Sequence, residues 1–392
     1  MFPCTLNPLV LSKAQAAVGA ILLAFLASAP ASGEDGIRSL KVVAGSHFKI
    51  GVGIGHKVLK NADDAELVQK HFQILTPENC MKPQGIHLEE DRWRFGPTDA
   101  FANFARKNHL EIVGHCLVWA KDDRTDDWMM KEGDLPVSRE KLLERIETHV
   151  ETVVGRYADI ATHWDVVNEA IGDNHEGLLR DSVYSRTTGM DFIVAAFKAA
   201  RAKDPDALLI YNDYNGHFPK KRKKLIELLT KLKAKGAPID AYGMQGHFEL
   251  GDDSLGKLRT TFDELRKLGL KVVVSELDVD VVTRSRWWAD GGKHRDELAK
   301  YDPYQDGLPA DIEKQFAKQY VALFEMFHEY RDTIARVSFW NLHDGESWLN
   351  HFPWQRVNYP LLFDRNRKPK RAFKAVCDVF SDSPSEPVGD AK

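Results

Sequence analysis

Eight short β-rich runs, each followed by a stretch of helical period, predict a single closed (β/α)8 barrel, class α/β. Three features carry that expectation. The cores of the runs, such as Leu208-Leu209-Ile210 and Val272-Val273-Val274, are apolar enough for burial on both faces, as parallel strands are. The stretches between them gather apolar residues on one side, as Leu225, Ile226, Leu228, Leu229 and Leu232 do. No Pro/Ser-rich linker divides the chain, so its 392 residues form one domain, although length alone would suggest two or three at roughly 150 residues each. A doubly wound open sheet is the alternative.

The elements follow in order. Strand one, 48–55, is glycine-rich; Gly51-Val52-Gly53-Ile54-Gly55 lacks the spacing of a nucleotide loop and reads as a tightly packed barrel strand. Strand two, 74–79, ends in Glu78-Asn79, with Lys82 just beyond. Strand three, 111–119, carries His115 and Trp119, and strand four, 163–170, carries Asn168-Glu169. Strand five, 207–214, runs into Asn212-Asp213-Tyr214-Asn215, and strand six, 241–248, holds Gln245 and His247. Strand seven, 271–280, carries Glu276 and Asp278; strand eight, 335–345, carries Trp340, His343 and Asp344, with Trp348 beyond. Helices are predicted over 63–72, 98–108, 138–157, 190–203, 221–235, 254–268, 310–330 and 370–380, with Gly236 and Gly269 as C-terminal caps. The segment 283–309 is a long loop after strand seven; its Trp287-Trp288 pair is either an extra stacking surface or a pair of partly buried side chains.

The ends of the chain stand apart. Lys13, an apolar run over 16–27 and small residues over 28–33 have the order of a secretory signal peptide, assigned to 1–31 with cleavage after Ala31 or Gly33. The apolar run is shorter than the ~20 residues a membrane span needs. The globular domain is assigned to 37–380 and a loose polar tail to 381–392. The formal charge of −4 argues against a nucleic-acid partner, and no later stretch is apolar enough to cross a membrane. Cys80, Cys116 and Cys377 match no zinc spacing; free buried thiols are preferred over a Cys80–Cys116 bridge. His343-Asp344 and Asp278-x-Asp280 likewise fit no metal-ligand spacing, and 220–224 (KKRKK) reads as the solvated face of a helix.

In a barrel of this kind, chemistry sits at the C-terminal ends of the strands. Carboxylates, amides and tryptophans converge there in this sequence. That mixture suits a sugar, whose hydroxyls need paired donors and acceptors and whose ring faces stack on indoles. Glu169 and Glu276, on opposing strands, can face each other across the mouth, as a pair of glycoside-cleaving carboxyls must.

At these residues the chain resembles glycoside hydrolase family 10, the (β/α)8 endo-1,4-β-xylanases. The resemblance rests on Trp164-Asp165-Val166-Val167-Asn168-Glu169, Ser275-Glu276-Leu277-Asp278, Thr76-Pro77-Glu78-Asn79-Cys80-Met81-Lys82-Pro83, Gly114-His115-Cys116-Leu117-Val118-Trp119, Tyr211-Asn212-Asp213-Tyr214-Asn215, Gln245-Gly246-His247 and Asp344-Gly345-Glu346-Ser347-Trp348. It implies a retaining double displacement on internal bonds of xylan, with Glu276 as nucleophile and Glu169 as acid/base. It further implies that Gln245 and His247 support Glu276 and that Asn168 meets the sugar 2-hydroxyl. Glu78, Asn79, Lys82, His115 and Trp119 would line the non-reducing side, Tyr214 and Asn215 the leaving-group side, and Trp340 and Trp348 the cleft walls. No cofactor or metal is implied; the partner is xylan or xylo-oligosaccharides, the protein a monomer, and the location secreted or periplasmic. The alternatives are a related retaining glycanase acting on cellulose-like or mixed substrates, and a non-catalytic carbohydrate-binding barrel. Two departures bear on specificity: Ala120-Lys121-Asp122, where the family commonly has His and then Gln, and Asn341, where it usually has Gly.

Overall fold

The computed structural model describes residues 38–172 and 177–381. The assigned leader, 1–31, and nearly all of the tail lie outside the described residues. Eight parallel strands form the barrel: β1 (Lys49–Ile54), β2 (Ile74–Pro77), β3 (Glu111–Trp119), β4 (Ala161–Asn168), β5 (Leu208–Asp213), β6 (Ala241–Met244), β7 (Lys271–Asp280) and β8 (Ile334–Trp340). Each pairs with its neighbours in sequence, and β8 returns to β1 through Gly51↔Ser338 and Gly53↔Trp340, so the sheet closes. The open-sheet alternative is thereby excluded. Of the strands, β6 and β2 are nearly all apolar and wholly buried, as predicted for parallel strands under helices.

The surrounding helices are α1 (Ala62–His71), α2 (Gly96–Lys107), α3 (Arg139–Tyr157), α4 (Asp191–Lys203), α5 (Pro219–Ala234), α6 (Ser254–Lys267), α7 (Ala310–Glu329) and α8 (Arg371–Val379). Their ends follow local chemistry. Asn61 caps α1 by accepting from Asp63 N and Asp64 N, and Ser138 caps α3. Pro97 and Pro219 open α2 and α5, where a missing N–H costs nothing. Gly236 and Gly269 adopt φ 75° and 71° directly after the caps of α5 and α6. The next residues, Ala237 and Leu270, then donate back to Leu232 O and Leu265 O and close both helices. Leu225, Leu228, Leu229 and Leu232 turn inward from α5. So does Lys221, which pairs with buried Asp213 at 2.8 Å; the basic run 220–224 is therefore not a uniformly solvated face.

Two of the predicted strands end at a residue with positive φ. Predicted strand six breaks at Gly246 (φ 83°), and His247–Glu249 forms a separate short strand against β7. Predicted strand eight stops at Trp340 because Asn341 has φ 80°. Asparagine is among the few non-glycine residues that tolerate this region, which accounts for its standing where the family usually has glycine. Two small antiparallel hairpins, His87–Glu89 with Arg92–Trp93 and Lys131–Glu132 with Leu135–Pro136, were not signalled by the pattern. The segment 283–309 is not plain loop: it holds short helices Ser285–Trp288 and Arg295–Leu298. Cys80, Cys116 and Cys377 are free and buried. No helix among the described residues is long and apolar enough to cross a membrane.

Candidate active site

Glu276 projects from β7 and is almost fully enclosed. Its Oε1 accepts from Asn212 Nδ2 at 2.9 Å, and its Oε2 lies 3.3 Å from His247 Nε2. The other ring nitrogen of His247 lies 3.0 Å from Asp278 Oδ2. His247 is thus clamped between two carboxylates. Burial disfavours its charge, but Asp278 and Glu276 outweigh burial and lift its pKa to about 9. Burial likewise pushes the Glu276 carboxyl up, yet the His247 hydrogen bond, the charges of His115 and His247 and the Asn212 amide bring it down to about 2. Glu276 is therefore held as an ionised carboxylate although it is buried.

Glu169 follows β4 directly, in the left-handed region at φ 56°. Its main-chain N donates to Asn212 O at 2.9 Å. At hydrogen-bond distance its carboxyl meets neutral amides: Gln245 Nε2 at 3.1 Å and Asn168 Nδ2 at 3.5 Å, both on Oε1. Arg180 stands further off, its Nη2 4.0 Å from Glu169 Oε2. Asn168 links the two carboxyls, because its Oδ1 accepts from Asn212 Nδ2 at 3.0 Å and from Gln245 Nε2 at 3.5 Å. Gln245 corrects the expectation that it supports Glu276. Its side chain crosses the mouth to Glu169, and it touches Glu276 only through its main-chain carbonyl, which accepts from Glu276 N at 2.7 Å. The reason is topological: β6 and β7 are backbone neighbours, while an inward side chain after β6 points across the ring.

The remaining candidates fall into two groups by their contacts. Lys82 donates to Asn79 Oδ1 at 3.1 Å and lies over the rings of Trp119 and Trp340, 4.9 and 5.9 Å from their centroids. Burial raises the pKa of Glu78, with the Lys82 charge opposing it. His115 is enclosed; its Nδ1 lies 2.8 Å from Asp165 Oδ2, and its ring meets Trp340 edge-on at 5.3 Å. Trp340 packs directly over Gly53, where a Cβ would come within 2.5 Å of the indole. In the second group Tyr214 Oη accepts from Arg180 Nη2 at 2.9 Å, and Lys221 lies over its ring. Asn215 sits beside it in a turn at φ 58°.

Trp348 donates from Nε1 to Asp278 Oδ2 at 2.8 Å, so one carboxylate orients both this tryptophan and His247. From Trp348 a line of aromatics runs outward, with Phe352 stacked at 5.1 Å and Trp288 at 6.0 Å from Phe352. Trp288 and Phe352 are exposed, whereas Trp287 stacks on Trp354 at 5.3 Å and is half-buried, so the reading as partly buried side chains holds for Trp287. In the altered segment after β3, Asp122 accepts from Val183 N at 2.6 Å and pairs with Arg186, tying that loop to the one after β4. His343 faces Asp64, and Asp344 is buried against Lys370.

Asn212, Asp278 and Arg180 were not singled out as site residues from the sequence. Asp278 carried a signal: two positions from Glu276 on one strand, it shares that face. Asn212 lay within a quoted motif, but nothing local shows that its amide reaches both Asn168 and Glu276. Arg180 sits in a loop, and only the folded chain brings it to Glu169.

A closed barrel whose mouth holds two differently supported carboxyls joined by amides defines a sugar-bond hydrolase. The description Glycosyl hydrolase family 10 matches residues 39–379, and the chain belongs to this family. It is 36% identical over 340 residues to endo-1,4-beta-xylanase B of Paenibacillus barcinonensis, covering 86% of this chain and 97% of that one. It is 37% identical over 347 residues to an endo-1,4-beta-xylanase of Geobacillus stearothermophilus, covering 88% and 99%. A solved endo-1,4-beta-xylanase structure from Caldicellulosiruptor owensensis superposes with a TM-score of 0.79 at 37% identity, over 87% of this chain and all of that one.

Proposed function

We propose that the protein is a secreted endo-1,4-β-xylanase that cleaves internal bonds of xylan with retention of configuration. The observation that carries the roles is the asymmetry of the two carboxyls: among the described residues Glu276 is bound by an imidazolium and an amide, Glu169 at hydrogen-bond distance by amides. Glu276, held ionised, attacks the anomeric carbon while Glu169 gives its proton to the departing glycosidic oxygen. The C–O bond to the leaving chain breaks as the ester to Glu276 forms. Glu169, now a carboxylate, takes a proton from water, whose oxygen displaces Glu276 and releases the sugar as the β anomer. Asn168 meets the 2-hydroxyl: Asn212 occupies its Oδ1, and its Nδ2, 3.5 Å from Glu169 Oε1, is the donor beside the reacting carboxyl. Neither step calls on a cofactor. Membership of the family and the names of its relatives support xylan as substrate; the order of charged, apolar and small residues over 1–33 supports export to the periplasm or medium, where a monomer suffices.

Proton NMR of the first products from xylan tests the stereochemistry, with β anomers expected and early α anomers refuting the double displacement. Azide added to Glu276→Gly is expected to yield the α-glycosyl azide and to Glu169→Ala the β product; the reverse would exchange the roles. Rates on aryl xylobioside well below those on aryl cellobioside would overturn the substrate. Export predicts a mature N-terminus after Ala31 or Gly33, and retention of Met1 in exported protein would refute cleavage.

A further inference from the structure

Arg180 lies eleven residues beyond Glu169 and its side chain is only 20% exposed. Its Nε donates to the main-chain carbonyl of Glu169 at 2.9 Å. Its Nη2 reaches the Tyr214 hydroxyl at 2.9 Å and stands 4.0 Å from Glu169 Oε2. One planar group therefore bonds the backbone of the acid/base and the aromatic residue on the leaving-group side, with its charge 4.0 Å from the Glu169 carboxyl. Closure of the loop does not need that group. Arg180 N donates to Ala170 O at 2.6 Å and Ser185 Oγ to Arg180 O at 2.6 Å, both through main-chain atoms of Arg180.

The turn that Arg180 holds is an uncommon one. Glu169 has φ 56°, a conformation that a residue with a long side chain keeps only when its surroundings impose it. The Glu169 N–H is bound on one side by Asn212 O, and the carbonyl is bound on the other by Arg180. Released at the carbonyl, the peptide can relax and swing the carboxyl away from the glycosidic oxygen. We infer that Arg180 is a positioning residue for the proton donor: it pins the left-handed turn that aims Glu169 and fixes Tyr214 beside the departing sugar, so that proton transfer and leaving-group placement share one anchor. This rests on the assignment of Glu169 as acid/base.

The test is the dependence of kcat/KM on the leaving group, across aryl β-xylobiosides from 2,4-dinitrophenyl to phenyl. A good leaving group departs without a proton, whereas a poor one needs Glu169 in place. In Arg180→Met the loss on the phenyl substrate is expected to exceed the loss on the dinitrophenyl one by about tenfold, a fraction of what a general acid contributes. Arg180→Lys, which can still reach the carbonyl, is expected to recover part of it. An equal loss across the series, as from a merely structural defect, or no loss overturns the role. Should Arg180→Met fail to fold, Arg180→Lys carries the test with a smaller steepening, and a flat ratio overturns the role. Glu169→Ala separates the two readings: it must steepen the series more than either Arg180 variant. If it does not, the assignment of Glu169 falls; if it does while the Arg180 variants stay flat, only the role of Arg180 falls.

Discussion

Asp278→Asn isolates the charge that keeps His247 positive. Trp348 Nε1 and His247 Nδ1 both meet Asp278 Oδ2, and an asparagine oxygen in that place accepts from both, so the shape of the site survives. What is lost is the carboxylate that, against burial, raises His247 to about 9. Burial is then opposed by Glu276 alone, the imidazolium is less favoured, and its bond to Glu276 loses charge assistance. Charged hydrogen bonds contribute about 1.5–3 kcal/mol and neutral ones about 0.5–1.5, so the change withdraws about 1–1.5 kcal/mol from the ionised form of Glu276. At about 1.4 kcal/mol per pH unit, its pKa rises by about one unit. The sign follows from the chemistry: attack needs the carboxylate, a positive neighbour favours the carboxylate, and removing that charge moves the acid limb to higher pH. The assay is kcat/KM for an aryl xylobioside between about pH 3 and 7, with circular dichroism to check the fold. Ring-nitrogen NMR of His247 should show it titrating below the wild-type protein. A folded variant whose acid limb stays within about 0.3 unit of wild type, or moves down, refutes the clamp.

Three further outcomes are expected. Gly53→Ala drives a Cβ to 2.5 Å from Trp340; the overpacking should cost about 1–3 kcal/mol in denaturant titration and raise KM for xylo-oligosaccharides, and an unchanged KM would free Trp340 from the cleft. Asn341→Ala should cost about 1–2 kcal/mol for the left-handed backbone and also lose the bond from Trp348 N to Asn341 Oδ1, whereas Asn341→Gly should lose only the bond; equal stabilities would contradict this. Burial, followed by the charge of Lys70, holds His71 near a pKa of 3, and burial with the charge of His87 holds His149 near 3. His71 Nδ1 accepts from Leu40 N, which requires the neutral ring. The unfolded chain protonates these groups first, near pH 6.5, so stability present above that pH is lost as pH falls toward 3. At pH 5 the loss is up to about 2 kcal/mol per histidine, and a urea midpoint no lower at pH 5 than at pH 7 would refute it.

The barrel was legible because its signals are local. Apolar strand cores, one-sided helices such as 225–232 and the glycines after α5 and α6 each depend on a few consecutive residues. The candidate carboxyls were legible for the same reason, since each closes or lies within a short polar motif on a strand. Asp278 could have been added from the two-residue period that places it beside Glu276. The exact strand ends were not legible, because Gly246 and Asn341 leave the sheet through backbone angles that no apolar pattern records.

Support of the site was decided across the ring. Gln245 is next to Glu276 in the sheet yet serves Glu169, Asn212 reaches both Asn168 and Glu276, and Arg180 arrives from a loop to hold the turn at Glu169. The sequence by itself determined the alternation of strands and helices, and with it which polar residues reach the barrel mouth. Only the tertiary structure decided which amide, imidazole or guanidinium each carboxyl meets. Secondary structure follows from periodicity along the chain, whereas hydrogen bonds between strands far apart in sequence follow from closure, register and the direction of side chains in space.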